Sequence, residues 1–418
     1  MTKVLIVEDS RSFAALVAKR VRLELGYEAH VAHTLSEAVE FIGQGTQYLA
    51  ALLDLYLPDA PNGECVDLAL TYGIPAIVFT AELSDSSRES FWHRHIVDYV
   101  FKDAEENVDY VVRLLRRLKI NPGIKILVVD DSRSYRHAVT RLLAAHRYQV
   151  LEAQSGEEAL AVLEQHPDTR LALVDYSMPG MDGFVLTREM RRRFGKDMLS
   201  IIGVSAVGGA RLSAKFIKSG ANDYLNKPFL VEEFYTRITQ NLEMLEHIAL
   251  VRDMAERDYL TRVYNRRYFF SAGQQLHALL TRRSQPITVA MLDIDHFKQI
   301  NDTLGHEAGD AVLCQMAEIL SSRFRVSDIV ARLGGEEFCV LASELTADQA
   351  RLLFEELRAC FEATPVLFDG ESVQYTVSIG LCSAPGLSLD EMLREADRML
   401  YRSKSSGRNC VTTCGLED

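Results

Sequence analysis

The amino-acid sequence predicts a multidomain α/β protein, in which two doubly wound parallel-sheet domains in tandem precede a third domain of different character. Three observations lead to this prediction. The chain has 418 residues, which is too long for a single hydrophobic core. A set of strand-end motifs occurs twice before residue 245, and the motifs after residue 258 are different and include a glycine-containing β-hairpin.

The duplication is visible in short apolar runs that end in acids. Residues 3–9 read Lys-Val-Leu-Ile-Val-Glu-Asp, and residues 125–131 read Lys-Ile-Leu-Val-Val-Asp-Asp. Such runs, rich in β-branched residues, are typical of buried parallel strands. Further segments correspond in the same order, at offsets of 121 to 125 residues: 52–58 with 173–179, 78–81 with 203–206, and 98–102 with 223–227. Small drifts in offset are what loop insertions produce in a duplicated domain.

Polar residues stand where the predicted strands end, which in the first copy are Glu8, Asp9, Asp54, Thr80 and Lys102. In a doubly wound sheet the functional groups collect outside the carboxyl ends of the strands. Three carboxylates there would repel one another unless a divalent cation held them, and hard oxygen ligands favour Mg²⁺. A carboxylate beside Mg²⁺, with a hydroxyl and an ammonium within reach, is equipped to become an aspartyl phosphate.

Both copies resemble the receiver domains of bacterial response regulators, over about residues 1–120 and 122–245. The resemblance implies that Asp54 and Asp175 are phospho-acceptors, each beside one Mg²⁺ ion, and that a sensor histidine kinase or phosphotransfer protein is the partner. The other residues carried over are the Mg²⁺-side acids Glu8, Asp9, Asp130 and Asp131, the hydroxyls of Thr80 and Ser205, the lysines Lys102 and Lys227, and the switch aromatics Tyr99 and Tyr224. Ordinary strand-end polar residues are the alternative, but five ordered positions found twice disfavour it.

The two copies are not equivalent. The second has Lys227 followed by Pro228, and Gly-Ala-Asn-Asp over residues 220–223. The first has Lys102 followed by Asp103, and His-Ile-Val-Asp over residues 95–98. We therefore expect Asp175 to be the preferred phosphorylation site, and it stays open whether Asp54 is phosphorylated or the first copy serves only as an adaptor.

A connector helix is predicted over residues 231–257, since the chain has no proline or glycine from Val231 to Tyr264. Ile238, Leu242, Leu245, Ile248 and Val251 or Arg252 follow one another at steps of three or four residues, which indicates one apolar face. Two interpretations are equally favoured. The stripe forms a short coiled-coil seam that transmits a change in dimerisation, or it packs on its own domain.

The third region combines a strand-end acid with an acidic hairpin. Residues 287–292 form a strand-like run that ends in Asp293, and Gly-Gly-Glu-Glu-Phe over residues 334–338 joins two short strands. Asp293 and Glu336 could bridge one or two Mg²⁺ ions, the usual arrangement for binding a nucleoside triphosphate. The candidates for binding phosphates are Lys298, the amides near Phe297, Lys404 and Arg408. Lys404 and Arg408 would lie on one face if their helix continued. Asn301 and Asp310 are the candidates for binding a guanine edge.

Residues 253–412 are similar to the GGDEF domain of diguanylate cyclases, in its GGEEF form, and the likeness extends to the Asp-x-Leu-Thr motif at residues 258–261 and to Ser-Ile-Gly at residues 378–380. The resemblance implies an α+β domain with a central antiparallel sheet, as in nucleotide cyclase and polymerase palm domains. It also implies that two GTP form cyclic di-GMP in a homodimer, because each site holds one GTP. The roles carried over are Asp293, the Ile294 carbonyl and Glu336 as Mg²⁺ ligands, Glu337 as a further ligand or as an aid to 3′-hydroxyl deprotonation, Asn301 and Asp310 as guanine readers, and Lys298, Lys404 and Arg408 as phosphate-binding cations.

Arg325 and Asp328 form an Arg-x-x-Asp motif that ends shortly before the hairpin glycines. In this family such a motif forms an inhibitory site for the product, and arginine can meet guanine O6 and N7 in a bidentate manner. The alternative is an exposed ion pair of little energetic value.

Composition limits the remaining functions. A formal net charge of -13 argues against coating nucleic acid or binding an anionic membrane, and seven scattered cysteines fit a reducing compartment. With no apolar stretch long enough for a bilayer and no signal-peptide pattern, we expect a cytoplasmic protein. Two rival functions remain, a receptor for cyclic di-GMP that has lost turnover, and a cyclase for another nucleotide.

Overall fold

The computed structural model describes residues 1–80, 96–102, 105–206 and 210–414, without the side chains of Glu105, Glu106 and Ala210. The chain divides into two compact units, Met1–Ile248 and Ala249–Asp418. The predicted difference between the two copies at His95 and Asp103 lies outside the described residues. Within them, no helix combines the length and the apolar character needed to cross a bilayer.

The first unit contains two five-stranded parallel sheets with the same strand order. The first sheet consists of β1 (Lys3–Val7), β2 (Glu28–Ala32), β3 (Ala51–Asp54), β4 (Ala76–Thr80) and β5 (Asp98–Phe101), with helices α1 (Arg11–Leu25), α2 (Leu35–Gly43), α3 (Glu64–Thr71) and α4 (Glu105–Ile120). Its order is β2-β1-β3-β4-β5. This confirms the parallel α/β prediction for this part of the chain.

The second sheet repeats that order as β7-β6-β8-β9-β10. Its strands are β6 (Lys125–Val129), β7 (Gln149–Ala153), β8 (Thr169–Asp175), β9 (Ser200–Ser205) and β10 (Asp223–Asn226), and its helices are α5 (Arg133–Ala145), α6 (Gly156–Gln165), α7 (Gly183–Arg193), α8 (Ala210–Ser219) and α9 (Val231–Glu256). The central strand β3 is fully buried and β8 is buried except at Arg170, as expected for sheets covered on both faces. The acids that end these strands therefore lie at the carboxyl edge of a packed sheet.

Helix α9 decides between the two interpretations of the apolar stripe. Ile238, Leu242 and Leu245 are buried, and the first two belong to the hydrophobic core of the second sheet domain. The stripe thus packs on its own domain at Ile238 and Leu242, and the seam interpretation is wrong for these two residues. Further along the same helix apolar residues are exposed, including Met244 and Val251, the latter from the predicted stripe, which are seven residues apart.

The second unit is built on a six-stranded mixed sheet of order β11-β13-β14-β12-β17-β18, beside a separate β15–β16 hairpin. Its strands are β11 (Tyr264–Asn265), β12 (Ile287–Ile294), β13 (Ile329–Gly334), β14 (Glu337–Ser343), β15 (Val366–Phe368), β16 (Glu371–Val373), β17 (Val377–Cys382) and β18 (Val411–Cys414). Its helices are α10 (Arg266–Arg282), α11 (Phe297–Leu304), α12 (His306–Arg323), α13 (Ala347–Ala363) and α14 (Leu389–Ser405).

The expectation of an antiparallel sheet holds for the four central strands and is wrong for the two edges. Strands β11 and β18 each pair in parallel with their neighbours. At the β18 edge the reason is topological, because helix α14 carries the chain from the end of β17 back to its start, and such a crossover yields a parallel strand. The central antiparallel ladder places the end of β12 beside the hairpin between β13 and β14.

Candidate functional site

The predicted acids of the third region converge at the end of strand β12. Asp293 lies opposite Glu337 in the β12–β14 ladder, so the two carboxylates share one face of the sheet. Gly334 and Gly335 turn the hairpin with φ angles of 153° and 53°, and Gly335 adopts a left-handed conformation that side-chain-bearing residues rarely take. Asp293 is 5% exposed, whereas Glu337 faces solvent, so the site is open on the hairpin side.

Electrostatics at this position favour a cation. Burial raises the pKa of Asp293, the neighbouring Lys404 opposes the rise, and the charges of Glu336 and Glu337 add to it. The Lys404 Nζ atom lies 2.7 Å from Asp293 Oδ2. Lys404 was predicted to hold phosphate, and here it partly neutralises the acids. Asp293, Glu336 and Glu337 are carboxylates, the kind of oxygen ligand that Mg²⁺ prefers, and their charges act on one another at this position.

Helix α11 begins beside these acids. His296 adopts a left-handed conformation with φ of 58° and turns the chain from the strand into the helix, which starts at Phe297. The first backbone N–H groups of a helix favour bound anions, and this is the role predicted for the amides near Phe297. Lys298 follows on the exposed surface of the first turn.

The predicted guanine readers are brought to one place by the turn at Gly305, which joins α11 to α12. Asn301 lies on α11, and Gly309 and Asp310 lie on the first turns of α12. A Cβ atom on Gly309 would lie 2.0 Å from Asn301 Oδ1, so the Asn301 side chain rests directly on this glycine. Gly309 is therefore a positioning residue that the sequence did not identify.

Lys404 and Arg408 do not share a helix face, because the helix does not continue to Arg408. Helix α14 ends at Ser405, and Gly407 and Arg408 have positive φ angles of 111° and 67°. The Arg408 N–H donates to the Ser403 carbonyl at 3.1 Å. Arg408 therefore lies in the turn that leads into β18, because the chain must leave the helix to form this edge strand.

Asp295 is a second positioning residue that sequence reasoning missed. It is 4% exposed, and its carboxylate accepts hydrogen bonds from the Thr376 hydroxyl at 2.8 Å, the Ser378 hydroxyl at 2.7 Å and the Asn409 backbone N–H at 3.0 Å. It thus ties the end of β12 to β17 and to the turn that carries Arg408. The serine of the Ser-Ile-Gly motif was the available signal, since a buried hydroxyl needs a partner.

We expect Asp295→Ala to destabilise this region by about 3 kcal/mol or more, because three donors lose a buried charged acceptor. Urea unfolding of the full chain, followed by hydrogen–deuterium exchange in peptides from β12 and β17, measures this loss. Asp302→Ala, an exposed change on α11, is the matched control and should alter stability by less than about 0.5 kcal/mol. Equal protection in the two variants would contradict the positioning role.

The Asp-x-Leu-Thr motif is connected to the hairpin through Arg332. Asp258 Oδ1 accepts hydrogen bonds from the Thr261 N–H and hydroxyl, at 2.9 and 2.7 Å, and from Arg332 Nη1 at 3.0 Å. Arg332 Nε donates to the Gly335 carbonyl at 2.8 Å. The motif at the start of the domain therefore helps to fix the backbone of the acidic hairpin.

Arg325 and Asp328 do not pair through their side chains. The Asp328 carboxylate is 9% exposed and accepts from the Ser343 N–H and hydroxyl and from the Arg325 backbone N–H. The Arg325 guanidinium is 74% exposed and lies 3.3 Å from Glu344. The exposed ion pair between them, considered as the alternative, is not formed, and Arg325 can reach a ligand in solvent.

In the second sheet domain the predicted phospho-acceptor Asp175 lies close to some of the residues predicted to act with it. Lys227 Nζ lies 2.5 Å from Asp130 Oδ2 and 2.6 Å from Asp175 Oδ1, and the Lys227–Pro228 peptide is cis. Burial raises the pKa of Asp175, and Lys227 opposes the rise. Ser205 is buried at the end of the adjacent strand, while Asp131 is exposed. Tyr224 is buried, with its ring 5.7 Å from that of Phe216.

The first sheet domain has the same arrangement. Lys102 Nζ lies 2.6 Å from Asp54 Oδ2 and 2.8 Å from Glu8 Oε2, and Thr80 is buried nearby. Oxygen atoms of Glu8, Asp9 and Asp54 all lie within 4.8 Å of one another, which suits a divalent cation. Tyr99 differs from Tyr224 in that its hydroxyl donates to Glu232 Oε1 on α9 at 2.8 Å.

Comparison with known proteins agrees with this geometry. Residues 255–410 match the family model for the diguanylate cyclase GGDEF domain, and residues 126–239 match the response regulator receiver domain. A solved structure of a two-component system response regulator/GGDEF domain protein is 44% identical, with a TM-score of 0.54, over 59% of this chain and 100% of that one. The chain belongs to the response regulators that carry a GGDEF domain. The receiver match covers the second sheet domain, and the first shares its strand order.

Two curated relatives extend the comparison. Response regulator PleD of Caulobacter vibrioides is 28% identical over 300 residues, which are 69% of this chain and 65% of that protein. Diguanylate cyclase A of Treponema denticola is 35% identical over 190 residues, which are 43% of this chain and 51% of that protein. The matched part of the chain thus spans about half to two thirds of the length of these relatives.

Proposed function

We propose that this response regulator is a diguanylate cyclase that joins two GTP molecules into cyclic di-GMP and releases two pyrophosphates. The observation that carries the proposal is the position of Asp293 at the end of β12, opposite Glu337 of the acidic hairpin and under the charge of both Glu336 and Glu337. The GGDEF family match and the name of the Treponema relative support it.

Asp293, Glu336, Glu337 and the Ile294 carbonyl would hold Mg²⁺, which supplies charge stabilisation at the α-phosphate when it is bound. Asn301 and Asp310 orient the guanine, and Lys298 with the first amides of α11 binds the phosphates. Glu337 faces solvent and is placed to take the 3′-hydroxyl proton or to serve as a further ligand. The 3′-oxygen of one GTP attacks the α-phosphorus of the other, the bond to pyrophosphate breaks, and the same exchange closes the ring.

This chemistry requires two copies of the chain, because each domain binds one GTP and the attacking oxygen comes from the partner site. The exposed apolar residues of α9, among them Met244 and Val251, offer a surface for such a homodimer. Their spacing of seven residues matches one heptad of a coiled coil.

Regulation follows from the two parallel-sheet domains, which we interpret as two receivers. Phosphorylation of Asp175, and of Asp54 if the first domain is also modified, would replace the lysine contacts that now hold each carboxylate. Helix α9 begins at Val231, shortly after Lys227, packs on the second receiver and continues beyond it, so it is the element through which a dimerisation change reaches the cyclase.

Product inhibition is proposed at Arg325, with Asp328 as a positioning residue. The exposed guanidinium can exchange its contact with Glu344 for a guanine edge, while the buried Asp328 carboxylate fixes the backbone that carries it. Arg325→Ala should therefore relieve inhibition by added cyclic di-GMP.

The function is tested by incubating the purified chain and Mg²⁺ with GTP or ATP and resolving the products by chromatography. We expect cyclic di-GMP from GTP and no cyclic product from ATP. A chain that binds cyclic di-GMP but makes none from GTP would be a receptor, and the proposal would be wrong. A cyclic product from ATP would contradict the roles of Asn301 and Asp310.

Gly309→Ala should raise KM for GTP by about tenfold, with a smaller change in kcat, because the new methyl group displaces Asn301 from the guanine. Initial rates over a range of GTP concentrations separate the two parameters. Gly273→Ala on α10 is the matched helical control, since its Cβ would meet only the flexible Leu389 side chain closely, at 3.2 Å. A change in kcat alone would argue against guanine positioning by Asn301.

A further inference from the structure

The two sheet domains of the first unit enclose a cavity of about 390 Å³ that none of the proposed roles uses. Its walls come from strand β5 and helix α4 of the first domain, and from helix α9 and the residues after α5 of the second. This volume is within the range of small-molecule sites in proteins.

Two side-chain contacts join the domains at residues of the cavity wall. The Tyr99 hydroxyl donates to Glu232, and Arg117 Nη1 donates to Glu246 Oε1 at 2.6 Å. Because Glu232 and Glu246 are fourteen residues apart on α9, the two contacts are separated by about 21 Å along the helix. The cavity therefore lies along an interface held by two distant contacts, and it is partly open to solvent.

One group in the wall lacks hydrogen-bond acceptors. The Nε and Nη2 atoms of Arg117 are buried, and within the described part of the chain they have no hydrogen-bond partner. Burial disfavours the charged guanidinium, but Glu246 and the nearby Tyr148 hydroxyl outweigh this effect and raise the pKa of Arg117. The group is thus a buried cation whose Nε–Nη2 edge is unused, and such an edge binds carboxylates in a bidentate manner.

The other polar groups of the cavity wall do not determine which class of ligand binds. Asp98, Glu232 and Glu243 line the cavity together with Arg113 and Arg117, so its charges nearly balance. The Asp98 carboxylate already accepts from the Tyr110 hydroxyl and the Tyr99 N–H, and Glu232 accepts from Tyr99. Only the Arg117 edge among these described wall residues has buried atoms that need a new partner.

Aromatic rings line much of the cavity. Tyr110, Tyr148 and Tyr235 line it, and His146 stacks on Tyr235 with ring centroids 3.7 Å apart. Such rings bind flat apolar groups by stacking and edge contacts. We infer that the cavity is an effector site for a small aromatic carboxylate, which binds when the Arg117 side chain turns its Nε–Nη2 edge into the cavity and whose ring lies among these tyrosines.

The site would act on the arrangement of the two domains. A ligand held between them stabilises the arrangement in which Tyr99 contacts Glu232 and His146 Nε2 contacts the Val97 carbonyl at 2.8 Å. Ligand binding would therefore act on helix α9 independently of phosphorylation.

The test is calorimetric titration of the full chain with phenylpropionate and with phenylpropionamide, which has the same shape without the charge. We expect saturable binding of one phenylpropionate with a dissociation constant on the order of 1 mM or tighter, and at least about tenfold weaker binding of the amide. Hydrogen–deuterium exchange should show protection in α4 and α9 on binding.

Arg117→Lys keeps the charge that faces Glu246 but removes the bidentate edge, and it should weaken phenylpropionate binding at least about tenfold. Arg116→Lys, an exposed neighbour on the same helix, is the matched control and should bind as the unaltered chain does. Absence of saturable binding, equal binding of the acid and the amide, or unchanged binding by Arg117→Lys would each overturn the proposal. The comparison of phenylpropionate with phenylpropionamide needs no variant, so it shows whether the site prefers a carboxylate even if Arg117→Lys fails to fold.

Discussion

Glu337→Gln is expected to lower the rate of cyclic di-GMP formation by at least about a thousandfold, which is the largest effect that the proposed mechanism predicts. Glutamine keeps the shape of the side chain but can neither take a proton nor contribute negative charge to the metal site. Since Glu337 faces solvent and lies opposite Asp293, the change should leave the fold intact. Product formation from GTP under saturating conditions measures the loss.

A matched control for this variant is Glu371→Gln, an exposed change on strand β16 that is away from the acidic hairpin in sequence and sheet. It should retain the rate of the unaltered chain. Binding of a non-hydrolysable GTP analogue to Glu337→Gln separates a defect in chemistry from a defect in binding. Turnover within tenfold of the unaltered chain would show that Glu337 is dispensable and that the assigned mechanism is incorrect.

Asp175→Asn should remove the response of the cyclase to a phosphoryl mimic. For the unaltered chain we expect beryllofluoride to raise the rate about 5- to 100-fold, the usual range for coupling between two protein sites. In the variant the ratio of stimulated to basal rate should fall to about one, because asparagine cannot accept the phosphoryl group. The measurement is the rate of product formation with and without beryllofluoride at fixed protein concentration.

Asp54→Asn is the comparison that tests which of the two sheet domains carries the preferred phosphorylation site. We expect it to keep most of the stimulation, since the receiver family match covers only the second sheet domain. If Asp54→Asn abolished the response and Asp175→Asn did not, the first domain would be the phosphorylated one. Loss in both variants would mean that the two domains act together.

Much of the site could be predicted because topology determines it. In a parallel sheet the ends of neighbouring strands meet at one edge, so Asp130, Asp175 and Lys227 were expected to lie together once their strands were identified. The same reasoning applied to Asp293 and the hairpin, where the ladder places Glu337 opposite the strand-end acid. These inferences need only strand order and the position of each residue at a strand end.

Other features depend on contacts between residues far apart in the sequence, which periodicity does not specify. The spacing of Ile238, Leu242 and Leu245 indicated an apolar face on α9 but not what covers it. The hydrogen bond from Tyr99 to Glu232 joins residues 133 positions apart. The end of α14 at Ser405 was also left open, because the helix-favouring residues before Ser406 and Gly407 do not indicate that these two form a turn.

The most direct test of a dimeric, phosphorylation-controlled cyclase is the rate of cyclic di-GMP formation per mole of chain, measured over a wide range of protein concentration with and without beryllofluoride. We expect a specific rate that rises with concentration until it reaches a plateau, and a plateau that is reached at lower concentration with beryllofluoride. A specific rate that is independent of concentration and of beryllofluoride would contradict both the requirement for two copies and the control by the receivers.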